Sequence, residues 1–272
     1  MTKSVYNLGG LIRFRDNPDR SWRRFGKTEP YFGVLTAPRF RKENLNEASL
    51  TEFFASGENH VTNILEIVRS TIAANLPMNT AVDFGCGVGR IVLPLSRRFS
   101  HVTGIDISED YIAEARRNCQ KYGVTNADFC ETAEQLAAEG RRYDFAHSCI
   151  VFNHIPWPRG REIIAELFEL LNPGGGMAIQ ILHRHKRGTL GRIGRWARRN
   201  ITALNWMANI LQKRPIFEPL MQGNAYPLDE LLPYIAELGA ERIHVRPEPT
   251  TAGQSFAFIF CRKPQVGPVL DR

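Results

Sequence analysis

Long apolar runs are missing from this chain. None approaches the roughly 18 residues that a membrane-spanning helix needs, and the opening MTKSVYNLGG has no apolar stretch of the kind a secretory leader carries. Cysteine is scarce as well. The five that occur (Cys86, Cys119, Cys130, Cys149, Cys261) are an odd number with no C-x-x-C pair. That excludes a disulfide framework and argues against a zinc site, so each reads as a small buried hydrophobe and no metal is expected. A cytoplasmic protein is the expectation that follows. Acid is lacking where base is densest: Arg184 to Arg214 holds nine Lys or Arg and no Asp or Glu, more than the +7 of the whole chain. The first 43 residues are basic too, with ten Lys or Arg against four acids. Both segments are candidates for contact with an anionic partner.

What is present centres on residues 80–90, TAVDFGCGVGR. A short apolar run carrying Asp83 breaks into glycines at 85, 87 and 89, and Ile91, Val92, Leu93, Leu95 and Phe99 then recur at helical spacing. This reads as strand, tight turn and helix. Glycine lets backbone pass close to a ligand without Cβ clashes, and the helix start offers free N–H groups to negative charge. The dinucleotide fingerprint G-x-G-x-x-G sets its third glycine one place later. Further along, HVTGIDIS (101–108) reads as a buried strand ending in Asp106. An acid about 20 residues beyond a glycine turn can accept both hydroxyls of a ribose, or can serve as a helix N-cap.

The G-x-G-x-G turn with an acid two places before it resembles class I S-adenosylmethionine (SAM) dependent methyltransferases of small-molecule type, over roughly residues 60–262. The other stations are Asp106, Tyr143-Asp144-Phe145-Ala146 opening a fourth strand, and Asn172-Pro173-Gly174-Gly175 before a fifth. The resemblance implies an α/β fold: a doubly wound, mostly parallel seven-stranded sheet with an N-terminal extension and a helical insertion after the fifth strand. It implies SAM as cofactor, contacted by Asp83, Gly85, Cys86, Gly87, Gly89, Asp106, Ile107 and Cys149. Thr132 stands where the family commonly has an acid for the adenine amino group, so its hydroxyl, or the backbone at Ala133, is expected to substitute. His154 lies where many members place a histidine near the methyl acceptor. It is expected either as the base, with His183 in reserve, or as a residue that only orders its loop.

Residues 1–58 are expected to form a lid or extension, in which Tyr31 and Phe32 are candidate walls of the acceptor pocket; Trp157 and Tyr226 are further candidates. Helical spacing over 50–72, interrupted at Gly57, predicts two helices with a turn between them. The domain proper is expected over 59–263, with a basic helical insertion at 186–222 and a loose tail at 264–272. Within that insertion, apolar residues recur at helical steps over 188–212, beside arginines and two tryptophans. This predicts a helix lying on an anionic membrane, capping the active site, or packing on the domain with its arginines solvated. The functional expectation is methyl transfer from SAM to oxygen or nitrogen of a small metabolite, saccharide-like or phosphorylated. The alternatives are a lipid-linked or membrane-borne acceptor, or a SAM-binding partner protein without catalysis. No recognisable nucleic-acid module occurs, so a nucleic-acid partner is not expected.

Overall fold

The computed structural model describes residues 17–185, 194, 196–198, 200–250 and 253–265. Seven strands form one sheet: β1 Thr80–Phe84, β2 His101–Ile105, β3 Ala127–Cys130, β4 Tyr143–Ser148, β5 Leu171–His185, β6 Glu241–Pro247 and β7 Gln254–Arg262. Their order is β3-β2-β1-β4-β5-β7-β6, in which β7 runs antiparallel to both its neighbours and the remaining pairs are parallel. The doubly wound α/β sheet expected from the sequence is therefore the observed one. β1 sits between β2 and β4, and Ala81 and Val82 on its opposite faces are both fully buried. This explains why the strand reads as a continuous apolar run rather than an alternating one. The strand order reverses between β1 and β4, which opens a crevice at their carboxyl ends.

Helices cover the sheet: α1 Pro18–Thr28, α2 Pro30–Val34, α3 Glu47–Thr71, α4 Val92–Ser96, α5 Glu109–Lys121, α6 Ala133–Ala138, α7 Trp157–Glu169, α8 Thr202–Leu211 and α9 Leu228–Glu237. The expected break at Gly57 does not occur. Helix α3 runs unbroken for 25 residues from a capping box in which Asn46 and Ser49 satisfy each other's backbone N–H. Gly57 is instead a point of close approach: a Cβ there would stand 2.2 Å from the Arg90 carbonyl oxygen. The expected boundary at residue 58 falls inside α3. The N-terminal segment joins the domain through a cluster in which Phe25, Tyr31, Phe32 and Phe40 pack with Phe53, Val88 and Tyr111. Parts of the insertion (186–193, 195 and 199) and the tail from 266 lie outside the described residues.

Candidate active site

The turn after β1 puts all three of its glycines at positive φ (Gly85 74°, Gly87 52°, Gly89 84°), a region that L side chains rarely adopt. Two of them are also close approaches: a Cβ on Gly85 would lie 2.3 Å from Val151, and one on Gly87 would lie 2.5 Å from Val34. Asp106, at the end of β2, ties this turn to the start of α5. Its carboxylate accepts from the N–H of Gly87 and from that of Ser108, each at 3.0 Å. Each oxygen keeps a further lone pair, and the side chain lines a cavity of about 100 Å³. Burial pushes the Asp106 pKa up to about 6, although the two backbone N–H groups pull the other way. Tyr111 lines the same cavity, and its hydroxyl is buried without a hydrogen-bond partner.

The opposite wall comes from the segment after β4. Ile150 has φ 63°, a strained backbone for a β-branched residue, costing on the order of 1–3 kcal/mol. It is held there by the Gln180 side chain, whose oxygen accepts from the Ile150 N–H at 2.9 Å. The short 3-10 turn Phe152–His154 then presents His154, which is 7% exposed. Its Nδ1 lies 2.7 Å from the Gln222 carbonyl, so Nδ1 carries the proton and donates. This leaves Nε2 as the acceptor, 3.1 Å from the Asn153 amide nitrogen. Helices α1 and α2 close the crevice from outside: the Trp22 ring lies 4.5 Å from the His154 ring, Val34 rests on Gly87, and Asp19 pairs with Arg159 at 2.6 Å. With that cover in place the cavity is smaller than the roughly 300–1,000 Å³ of sites that bury drug-sized ligands.

Of the residues singled out from the sequence, Gly85, Gly87, Asp106, Ile107, Cys149 and His154 line this cavity. Burial pushes the Cys149 thiol up to about 12, so it contributes shape rather than charge. The others stand elsewhere, each for a visible reason. Asp83 is 2% exposed and accepts from His147 Nδ1 at 2.7 Å, while His147 Nε2 lies 2.9 Å from His60 Nε2. Burial, followed by the neighbouring His147 and Arg90, holds His60 down at about 2, so it stays neutral and the three groups bind β1, β4 and α3 together. Cys86 is buried beneath the turn, and Gly89 packs on Ala115. Thr132 caps α6 in a capping box with Gln135, and Ala133 is buried in the core. Tyr31 is tied to Glu114 and Asn118, while Phe32 stacks under Arg41 at 3.7 Å. Tyr226 is wholly buried, donating to the Ile155 carbonyl at 3.0 Å, and Trp157 leans on it and donates to Glu230. His183 is half-buried on β5 outside the cavity, and burial and then Arg184 keep its pKa below the usual histidine value.

Trp22, Val34, Tyr111, Val151 and Arg159 line the cavity without having been singled out as site residues. Nothing local in the sequence distinguishes Tyr111 from an ordinary buried position on α5.

A seven-stranded sheet in this order, with a glycine turn after β1 and an acid ending β2, defines the class I methyltransferase fold. Residues 81–175 match the family model described as methyltransferase domain. Among curated proteins the chain is similar to the mitochondrial ubiquinone biosynthesis O-methyltransferase of Arabidopsis thaliana. The two are 34% identical over 135 residues, covering 45% of this chain and 41% of that one. It is similar also to the ubiquinone biosynthesis O-methyltransferase of Methylococcus capsulatus, at 30% over 132 residues, 48% of this chain and 55% of the other. The match thus spans about half the length of these relatives. Among solved structures, magnesium protoporphyrin IX methyltransferase from Synechocystis with bound SAH superposes with a TM-score of 0.58 at 18% identity, covering 91% of this chain and 100% of the other. An N-methyltransferase from Bradyrhizobium japonicum in complex with S-adenosyl-L-homocysteine (SAH) gives 0.58 at 13%, covering 92% and 100%. Likeness at those identities concerns the fold.

Proposed function

We propose that this protein transfers a methyl group from SAM to an oxygen or nitrogen atom of a small acceptor. The observation that carries the reading is the single cavity in which the glycine turn, Asp106 and His154 meet. The donor set suits an adenosyl amino acid. Asp106 keeps lone pairs for the ribose hydroxyls, Ile107 offers apolar contact to a base, and the buried Tyr111 hydroxyl lacks a partner. Arg90, just past the turn, is 5% exposed, and its Nε is unpartnered. It stands outside the cavity lining, with Nη1 3.5 Å from the Ser56 hydroxyl, and among the described residues it pairs with no carboxylate, which makes it the candidate for the methionine carboxylate. SAM, when bound, supplies a methyl group already activated on a sulfonium. The chain's own task is then alignment and exclusion of water, and alignment of two reactants can be worth roughly 7–11 kcal/mol. The α1–α2 cover supplies the exclusion, and His154 Nε2 takes the acceptor's proton once the Asn153 amide gives way.

The name O-methyltransferase borne by the curated relatives favours oxygen. Trp22, Val34, Phe84, Ile150, Val151 and Ile155 give the cavity an apolar wall. That supports a hydroxyl on an aromatic or apolar skeleton over a saccharide, and a phosphorylated acceptor would meet Arg159 at the rim. A lipid-borne acceptor is the second reading, favoured by the exposed apolar side chains of α8. Incubating a metabolite and lipid extract with protein and SAM, then searching by mass spectrometry for a gain of one methylene unit, tests both. SAH binding with no such gain would leave a SAM-binding protein without catalysis.

Two substitutions separate the roles. His154→Gln is expected to lower kcat about 10²–10⁴-fold, the range typical of a lost general base, with SAH affinity unchanged. Undiminished turnover at saturating acceptor would remove His154 as the base. Arg90→Met is expected to weaken SAH about 10–100-fold, as for one lost charge-assisted hydrogen bond. Methylthioadenosine, which lacks the amino acid end, should bind as before. Equal losses for both ligands in calorimetry would assign Arg90 to the fold alone.

A further inference from the structure

Among the described residues seven large apolar side chains are exposed, and six of them fall between Trp196 and Phe217. The helix in the middle of that stretch is inverted. α8, TALNWMANIL, contains no charged residue, and it turns its two asparagines inward. Asn205 and Asn209 are buried, and their amides donate to the carbonyls of Ile216 and Glu218 at 2.9–3.2 Å. Met207, Ile210 and Leu211, on one side of the helix at steps of three and four, are left to solvent, with Leu211 82% exposed. A surface helix ordinarily does the reverse, and contiguous exposed apolar surface marks an interaction site. Ile216 and Phe217 are exposed just beyond the helix, the Phe217 ring 5.3 Å from that of Trp206 on α8.

Basic groups surround it. Lys213 and Arg214 are exposed directly after α8, and the outer side of α1 carries exposed Arg20 and Arg24. Arg24 lies 5.9 Å from the Phe217 ring, and both arginines share a cleft with Trp206 and Phe217. Glu218 is buried and bonded to Arg41, and its other oxygen pairs with Arg214 at 3.9 Å, so Lys213, Arg20 and Arg24 are the cations left facing outward. An apolar patch rimmed by cations complements acyl chains beneath anionic headgroups. A second copy of the chain would bring this positive rim against its own kind, and a nucleic acid would leave the apolar side chains uncovered. No helix among the described residues is long and apolar enough to cross a membrane, so contact would be with the surface.

We propose that the face made by α8, residues 213–217 and the outer side of α1 docks on an anionic lipid bilayer. The docking goes beyond methyl transfer and needs no SAM. If the methyltransferase reading holds, it has a consequence for the site. α1 turns Trp22 into the cavity and its arginines toward the lipid, so the element that covers the site is also one that meets the membrane.

Vesicle flotation of the whole protein tests the surface. Binding to vesicles rich in phosphatidylglycerol, absent with phosphatidylcholine alone and weakened by salt, is expected. Lys213→Glu with Arg214→Glu should weaken it about tenfold or more, and Ile210→Ser with Leu211→Ser and Phe217→Ser should abolish it. SAH affinity and Tm should stay at wild-type values throughout, which keeps failure of docking distinct from failure of the methyltransferase site. No binding to either vesicle would overturn the proposal. So would a protein dimer that the same serine substitutions dissociate, seen by sedimentation without vesicle binding.

Discussion

Asp106→Asn is expected to weaken SAH binding about 100-fold or more, since two hydrogen bonds to a charged group are each worth roughly 1.5–3 kcal/mol. Two effects on stability oppose each other at neutral pH: the asparagine amide can accept from only one of the Gly87 and Ser108 N–H groups, while the burial penalty on the charge is relieved, and the second effect follows from the sign of the pKa shift. Burial raises the folded-state value to about 6 from an ordinary 3.8. The favourable contribution of this group to folding is then fully present below the unfolded value and is lost as pH rises through about 6. The ionised carboxylate at neutral pH opposes folding but serves the ligand. Binding has the opposite slope: affinity for SAH in the native protein should fall as pH drops through about 6, and the asparagine variant should lose that dependence. Calorimetry across this range, with thermal melts of both proteins, checks each part. A variant that binds SAH as tightly as wild type would remove Asp106 from the nucleoside site.

Gly57→Ala is expected to destabilise the protein, although helix propensity alone argues the other way. Alanine for glycine in mid-helix gains about 1 kcal/mol. Here the new Cβ would meet the Arg90 backbone carbonyl at 2.2 Å, and backbone cannot swing aside as a flexible side chain would. Overpacking costs typically 1–3 kcal/mol and sometimes more, so the clash outweighs the gain and α3 must lift from the glycine turn. A Tm lower by several degrees is expected, at about 2–4 °C per kcal/mol for a domain of this size. SAH affinity should fall with it, because Arg90 moves with the turn. A raised Tm would mean that α3 and the turn are not in this contact.

Two adjoining stretches show how far local reading reaches. The turn 85–89 and Asp106 are legible because glycine spacing and strand endings are local properties of the chain. Asp83, two residues before the turn, is not: whether it faces ligand or core depends on His147, 64 residues away on the neighbouring strand. Gly57 looked like a helix break because glycine usually weakens helices. Its actual reason, the Arg90 carbonyl, belongs to a different element. The apolar stripe over 188–212 suggests packing as one option, yet in α8 the inward positions go to Asn205 and Asn209, because carbonyls at 216 and 218 are there to receive them.

The sequence by itself determined the alternation of strands and helices, the glycine turn after β1 and the acid closing β2. Each follows from periodicity or backbone sterics within a few residues. Only the tertiary structure decided which polar groups face the cavity, that Trp22 and Tyr111 belong to it, and that α8 presents its apolar side outward. Those outcomes depend on which distant backbone carbonyls, aromatic rings and carboxylates arrive alongside, and proximity of that kind comes only with packing.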